Sequence, residues 1–384
     1  MGQGEVSNSW SDIPQDLLEE IVRKLTLVDY LNCRRVCQSW RRIVKDAVAT
    51  KGTCPPARQF PFLMLLPPNF QNKNPVTTLL DITQENNTSY TIPIPQTWRG
   101  CFDFDRVFSV QGWVVFQKIY YKENWNYDLL LFCNPVSGER FELPHLPLFQ
   151  GQDFTHKIYV KPVFSTAPPN SSDFVVVLCA ILYLPQEDRW RHQLAFYKVT
   201  DKKWALIPTD QSQRFSEFVI LDRKLYAMSM LLYKSGCVTV FNLTDSNNIT
   251  FEKLEPERIQ PVLSRTCMLA RDGDEILLVV PDSRIIREIT GFCVFKLDMM
   301  CGGSRWIEVD DLGDLVLLMD SAGIQVISAK DINLPRKLSE GNCIIFYSVE
   351  RDLKVFSLKD KRIRKFPLSQ VSGDRSLWLM PSLW

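Results

Sequence analysis

The sequence has no excess of either charge, with 45 basic against 44 acidic residues. Nothing in that balance steers the whole chain toward nucleic acid or an anionic membrane. Histidine is scarce: His145, His156 and His192 share no spacing and are expected at surface or loop positions. No HExxH pair, Cys/His zinc pattern, GxSxG elbow or phosphate-binding glycine loop occurs, so the usual signatures of metalloproteases, serine hydrolases and nucleotide enzymes are missing. The 11 cysteines are odd in number and form no CxxC pair, the closest two being Cys33 and Cys37. That scatter fits reduced, buried thiols in the nucleus or cytoplasm better than a disulfide framework. The opening MGQGEVSNSWSDIP has no apolar stretch of a secretory signal. Val6 stands where a myristoylation motif needs Ser or Thr. The sequons at Asn86, Asn170, Asn242 and Asn248 are therefore expected to be unused. No apolar run reaches the roughly 18–20 residues of a membrane span. The longest, around Phe174 to Leu184, is strand-sized.

What is present divides sharply. From about Ser11 to Ala49 the apolar residues recur at helical spacing, and beyond them the chain reads as strand. Residues 8–50 are read as an all-α unit of three helices, 51–59 as a linker within TKGTCPPARQFP, and 60–384 as an all-β domain. Asp12 or Ser11 is placed to cap the first helix and Pro14 to sit in its first turn. Leu17, Leu18, Ile21, Val22 and Leu25 form its apolar face. Asp29 is expected to cap a short second helix carrying Tyr30, Leu31 and Cys33. The third is expected to carry Val36, Cys37, Trp40, Ile43 and Val44. A unit of about forty residues with no metal-ligand spacing buries too little to stand alone, so its apolar face needs the downstream domain or another chain.

The β portion alternates short apolar runs with turn signals. FVILDRKLYAMSM, MLARDGDEILLVV and LVLLMDSAGIQVIS read as hairpins. A second hairpin type recurs six times, from TLLDITQENNTSYTIPIP to LKVFSLKDKRIRKFPL, and aligns Leu80, Phe132, Tyr197, Phe241, Phe295 and Phe356. Periods of roughly 45–65 residues built of short strands predict a β-propeller of about six to seven blades. The seventh would arise if FPFLMLLPP formed part of a blade closed by the C-terminus. An irregular β-sandwich is the competing architecture. Trp113, Trp204 and Trp306 are expected to fill the space between adjacent blades.

The segment IPQDLLEEIVRKLTLVDYLNCRRVCQSWRRIV closely resembles the F-box. The matching positions are Ile13-Pro14, Leu17-Leu18, Leu25, Leu31, Arg35-Val36-Cys37 and Trp40; Ile13 for Leu is the departure at the opening. The remainder resembles a large plant family in which an F-box precedes a domain of unknown function (number 295), a kelch-like, KIB-type propeller. GWVVFQKIYYKENWNYDLLLFCNPVSGERFELPHL carries that likeness. The resemblance implies a substrate-recognition subunit of a Skp–cullin–F-box ubiquitin ligase. The F-box would dock on a Skp-type adaptor, and through it on cullin and RING subunits, while the propeller holds an unknown protein substrate. It implies Ile13, Pro14, Leu17, Leu18, Ile21, Leu25, Leu31, Val36, Cys37 and Trp40 as adaptor-binding candidates, some of which must instead be internal core. It implies no cofactor, metal, nucleic acid or membrane, and a nuclear or cytoplasmic setting. A scaffold outside any cullin complex and a propeller enzyme acting on sugars are the alternatives. The latter would draw on Glu308, Asp310, Asp311 and Asp314, which otherwise read as a solvated turn. Likewise the basic run from Lys359 to Phe366 reads as an exposed hairpin turn.

Overall fold

Strands with no polar alternation are the first structural signature of this chain, and they arise wherever both faces of a strand are covered. The computed structural model describes residues 13–22, 24–25, 27–33, 36–51, 60–66, 76–83, 88–93, 106–122, 125–134, 139–144, 156–165, 169, 171–184, 189–209, 214–229, 237–246, 248–256, 267–282, 288–300, 303–320, 323–330, 332, 341–348, 350, 352–366 and 375–380. Its helices are α1 (Gln15–Val22), α2 (Leu27–Cys33) and α3 (Gln38–Lys51). α1 and α3 pack on each other, and α2 is only seven residues long. The helical unit is thus two main helices and a short connecting one. Asp29 lies inside the first turn of α2 rather than ahead of it, where its charge complements the helix dipole.

The described β strands form six sheets. The first blade joins β1 (Phe62–Leu66), β2 (Val76–Asp81) and β3 (Thr88–Pro93). The second holds β4 (Arg106–Val110), β5 (Trp113–Lys122), β6 (Trp125–Cys133) and β7 (Arg140–Glu142). The third holds β8 (His156–Phe164), β9 (Val175–Leu184), β10 (Arg189–Lys198) and β11 (Lys203–Ile207). The fourth holds β12 (Phe215–Leu221), β13 (Lys224–Ser229), β14 (Val238–Asn242) and β15 (Phe251–Leu254). The fifth holds β16 (Met268–Asp272), β17 (Glu275–Asp282), β18 (Gly291–Met300) and β19 (Gly303–Glu308). The sixth holds β20 (Leu315–Met319), β21 (Ile324–Ser328), β22 (Cys343–Tyr347), β23 (Leu353–Ser357) and β24 (Arg362–Phe366). The last strand, β25 (Arg375–Leu379), pairs antiparallel with β1 and completes the first blade. Among the described residues the ring therefore has six blades, and FLMLL is β1 of the blade that also holds β2 and β3, not part of a seventh.

The strands of the three expected hairpins pair antiparallel. Asp222 and Arg223 both adopt positive φ, 48° and 59°, between paired Leu221 and Lys224. The six recurrent hairpins are the outer two strands of the six blades. Asn134 is described, but the rest of the expected Pro135 to Gly138 turn lies outside the described residues. The sixth blade departs from plain antiparallel order, because β20 and β22 run parallel with Val316 opposite Cys343.

Six apolar cores sit around the ring, one at each blade boundary. In β1, Phe62, Met64 and Leu66 enter the core toward the second blade, while Leu63 and Leu65 enter the core toward the sixth. This two-sided burial explains the unbroken apolar run. Leu80, Tyr197, Phe241, Phe295 and Phe356 all fill the core toward the preceding blade. Phe132 fills the core toward the following blade instead, since a shift of one residue moves a strand side chain to the opposite face. Trp113 is buried in that core, whereas Trp204 and Trp306 are half-buried at the margins of theirs. Trp204 also donates its indole N–H to the carbonyl of Pro144, 2.7 Å away, tying the third blade to the second.

Candidate docking face on the helical unit

Pro14 is exposed at the entry to α1, and its carbonyl accepts the N–H of Leu18 at 3.1 Å. Ser11 and Asp12, expected as caps, lie outside the described residues. On the solvent side, Gln15 donates to Glu19 at 3.0 Å and Lys24 pairs with Glu20 at 3.1 Å. Such pairs at i,i+4 support a surface helix by a few tenths of a kcal/mol each, roughly 0.2–0.5. The broad apolar stripe of α1 splits into two. Leu18 and Val22 are 0% and 1% exposed, whereas Leu17 and Ile21, one turn apart on the adjoining stripe, are 54% and 40% exposed. Ile13 and Leu25 are half-buried against the core.

Val36 is not in a helix. It lies in the turn between α2 and α3, 54% exposed, with its N–H donating to the carbonyl of Cys33. Cys37 immediately precedes α3, and its sulfur accepts the N–H of Trp40 at 3.4 Å. That is the work of an N-cap, with sulfur in the place of the usual oxygen. Trp40 is buried in the core. Leu31 falls within α2, but its side chain lies outside the described set. Among the candidates with described side chains, then, Pro14, Leu17, Ile21 and Val36 face water; Leu18 and Trp40 are core; Ile13, Leu25 and Cys37 are intermediate. Tyr30 was not among the candidates, yet it is buried and donates its hydroxyl to the Val44 carbonyl at 3.3 Å, joining α2 to α3. An aromatic residue with a polar tip, set in an otherwise short helix, was the available signal.

A concave feature lies on the propeller axis. A cavity of about 260 Å³ draws its lining from all six blades. Its polar wall includes Ser109, Gln111, Glu217, Arg271, Asp320 and Gln325. Part of this wall secures ring closure. Asp320 accepts the N–H of Trp378 at 3.0 Å, and Gln325 donates to both Ser109 and the Trp378 carbonyl at 2.7 Å. Trp378 also donates its indole N–H to the Met319 carbonyl at 3.2 Å.

The acidic run does not converge. Asp310 pairs with Lys361 at 2.9 Å, Asp311 accepts the N–H of Gly313, and Asp314 accepts the Ser328 hydroxyl at 2.6 Å. The Ser328 hydrogen bond lowers the Asp314 pKa. Asp310, Asp311 and Asp314 thus each have a local partner, and none of the four carboxylates lines the axial cavity. In the basic run, Arg364 pairs with Asp360, and Lys365 with Asp352 and Glu350. His192 departs from expectation. It is 3% exposed within β10, and its Nδ1 accepts the Phe215 N–H at 3.1 Å across the boundary to the fourth blade. Burial, then the nearby Arg214, lowers its pKa to about 4. Its histidine ring is a structural joint between blades.

The F-box domain family matches residues 10–48, and the KIB1-4 beta-propeller family matches residues 79–362. The chain is similar to "Probable F-box protein At4g22165" of Arabidopsis thaliana, 24% identical across 98% of this chain and 97% of that one. It is similar to "F-box protein At2g14290" of the same plant, 24% identical across 98% of both chains. It also resembles the Arabidopsis thaliana "F-box/kelch-repeat protein At3g18720", at 26% identity over 77% of this chain and 70% of the relative. A helical F-box followed by a six-bladed ring, matched over most of its length, places the chain in the KIB1-4 beta-propeller family of plant F-box proteins.

Proposed function

We propose that the chain is the substrate-recognition subunit of a Skp–cullin–F-box ubiquitin ligase. In this reading the F-box docks on a Skp-type adaptor, which links it to cullin and RING subunits. The propeller holds the protein to be ubiquitinated and performs no chemistry itself. Holding the target beside a charged conjugating enzyme raises the effective concentration of its lysines. The setting is the nucleus, the cytoplasm or both.

One observation carries the reading. Leu18 and Trp40 of the F-box motif close the core, while Leu17, Ile21 and Val36 of the same motif remain 54%, 40% and 54% exposed. Apolar side chains left in water within a recognition motif mark a surface that a partner covers. The test is co-purification of the full chain with a Skp-type adaptor and a cullin, comparing wild type with a Leu17→Asp, Ile21→Asp double variant. A wild-type complex lost in a folded variant supports the reading. Equal capture by both forms would refute the docking face. Adaptor capture without cullin would instead assign a scaffold role outside the ligase.

A further inference from the structure

We infer that the F-box and the first propeller blade form one cooperative folding unit, so that the docking face is held in shape only once the C-terminal strand has closed the ring. The inference needs the F-box reading only for its adaptor readout; the shared core stands apart from it.

The core of the helical unit is continuous with that of the first two blades. Leu18 and Val44 belong to the same continuous apolar cluster as Met64 of β1, Phe116 of β5, and Leu377 and Leu379 of β25. All six are between 0% and 4% exposed. Two of those side chains come from the far end of the chain, where Leu377 pairs opposite Met64 and Leu379 opposite Phe62. The outer strand of the blade joins in as well. Tyr90 of β3 packs edge-on against Phe62, with ring centroids 6.1 Å apart. Burial, then Asp81 and Asp29, pushes the Tyr90 hydroxyl pKa up. A helical unit of about forty residues is marginal by itself. Here the missing apolar surface is supplied by a blade that is incomplete until β25 docks. Local opening of the F-box and opening of the ring closure should therefore be one event.

Hydrogen exchange tests this in two arms. In the first, the full chain is measured with and without a Skp-type adaptor at about 100 times its Kd, which slows exchange through any opening that disrupts binding by about 100-fold. Coupling requires that slowing in β1 and β25 as well as in α1 and α3. Slowing confined to the helices overturns the proposal. The second arm needs no adaptor. Leu379→Ala removes a 1% exposed side chain from β25. Coupling requires α1 and α3 amides to exchange faster, by about a hundredfold, the ratio that corresponds to a typical buried Leu→Ala loss. Faster exchange in β25 with unchanged α1 and α3 overturns it. If wild type captures no adaptor, the second arm still decides, so failure of the ligase reading and failure of the coupling remain distinct. If Leu379→Ala does not fold, Leu377→Val, a smaller deletion in the same strand and core, takes its place with the same outcomes.

Discussion

Replacing Leu17 with aspartate and, separately, Leu18 with alanine should split adaptor binding from stability. Leu18 is 0% exposed, on the buried face of α1. Truncating it should cost about 3–5 kcal/mol, the lost transfer energy plus an unfilled cavity. Leu17 is 54% exposed, so Leu17→Asp should change the stability of the isolated chain by only about 0.5 kcal/mol. The binding cost runs the other way. Fully burying a Leu, Ile or Val side chain is worth about 1.5–3 kcal/mol. Weighted by the 54%, 40% and 54% still exposed at Leu17, Ile21 and Val36, covering all three gives about 2–4 kcal/mol. Removing the whole strip should thus weaken adaptor binding roughly thirty- to a thousandfold, with Leu17→Asp alone taking at least a third of that in free energy. Thermal unfolding followed by circular dichroism reads the first quantity, and calorimetric titration with a Skp-type adaptor the second. A Leu17→Asp chain that melts normally and binds at wild-type strength would refute the assignment of the exposed strip. A Leu18→Ala chain of unchanged stability would refute the shared core. A double replacement of Leu17 and Leu18 would confuse the two effects.

Acid should weaken the propeller through His192, whose folded pKa of about 4 lies below its ordinary 6.5. Its neutral form is favoured in the fold, so the stability is complete above pH 6.5 and is lost as pH falls toward 4. At pH 5 the loss is about 2 kcal/mol, and denaturant titrations of His192→Gln should show a correspondingly flatter pH dependence there. Gly341 has φ +71°, and a Cβ at that position would lie 2.7 Å from the Asp314 carbonyl carbon. Gly341→Ala should cost about 3 kcal/mol or more, against about 1 kcal/mol for Gly273→Ala, where φ is +53° but the space is open; urea midpoints would compare them. Asp320→Ala should lower stability by about 1.5–3 kcal/mol, by leaving the buried Trp378 N–H without its carboxylate partner. The thiol of Cys343, 4% exposed with its pKa pushed up to about 12, should react with a disulfide reagent at pH 8 only as fast as the chain opens. Rapid labelling of Cys343 in the native state would contradict its burial.

The outer hairpins were the legible part of the propeller, and the reason is local. Each carries a turn flanked by two strands that pair within a short stretch of chain, so its apolar pattern and its turn residues sit in one window. β25 and β1 show the opposite case. FLMLL reads as part of a blade closed by the C-terminus, and it does pair with RSLWL; that this blade also holds β2 and β3, and is not a seventh, depends on pairing across nearly the whole chain. Registration is similarly invisible at single-residue precision. Aligning Phe132 with Phe241 is reasonable by sequence, yet the two face different neighbours because strand faces alternate with every residue. His192 reads as a surface or loop residue for a related reason: RWRHQLAFYK is polar at its start, and nothing in that string announces that a backbone N–H from the next blade will come to meet the imidazole.

The docking face raises a harder question, since the motif's spacing located it but did not divide it. Leu17, Leu18, Ile21 and Val22 all belong to one apolar arc of α1, wide enough to serve two surfaces. Which half turns inward depends on the core it joins, and that core includes Met64, Phe116 and Leu379, residues with no sequence proximity to α1. Cys37 shows a second kind of ambiguity. Its place in the Val-Cys-x-x-Trp run is compatible with contact or core, and its sulfur instead accepts the first-turn N–H of Trp40. A motif position can therefore be retained by the geometry of a helix end, by a core, or by a partner. Only the first two leave a mark in the isolated chain. Apolar side chains that stay exposed, such as Leu17, Ile21 and Val36, are what remains for the third.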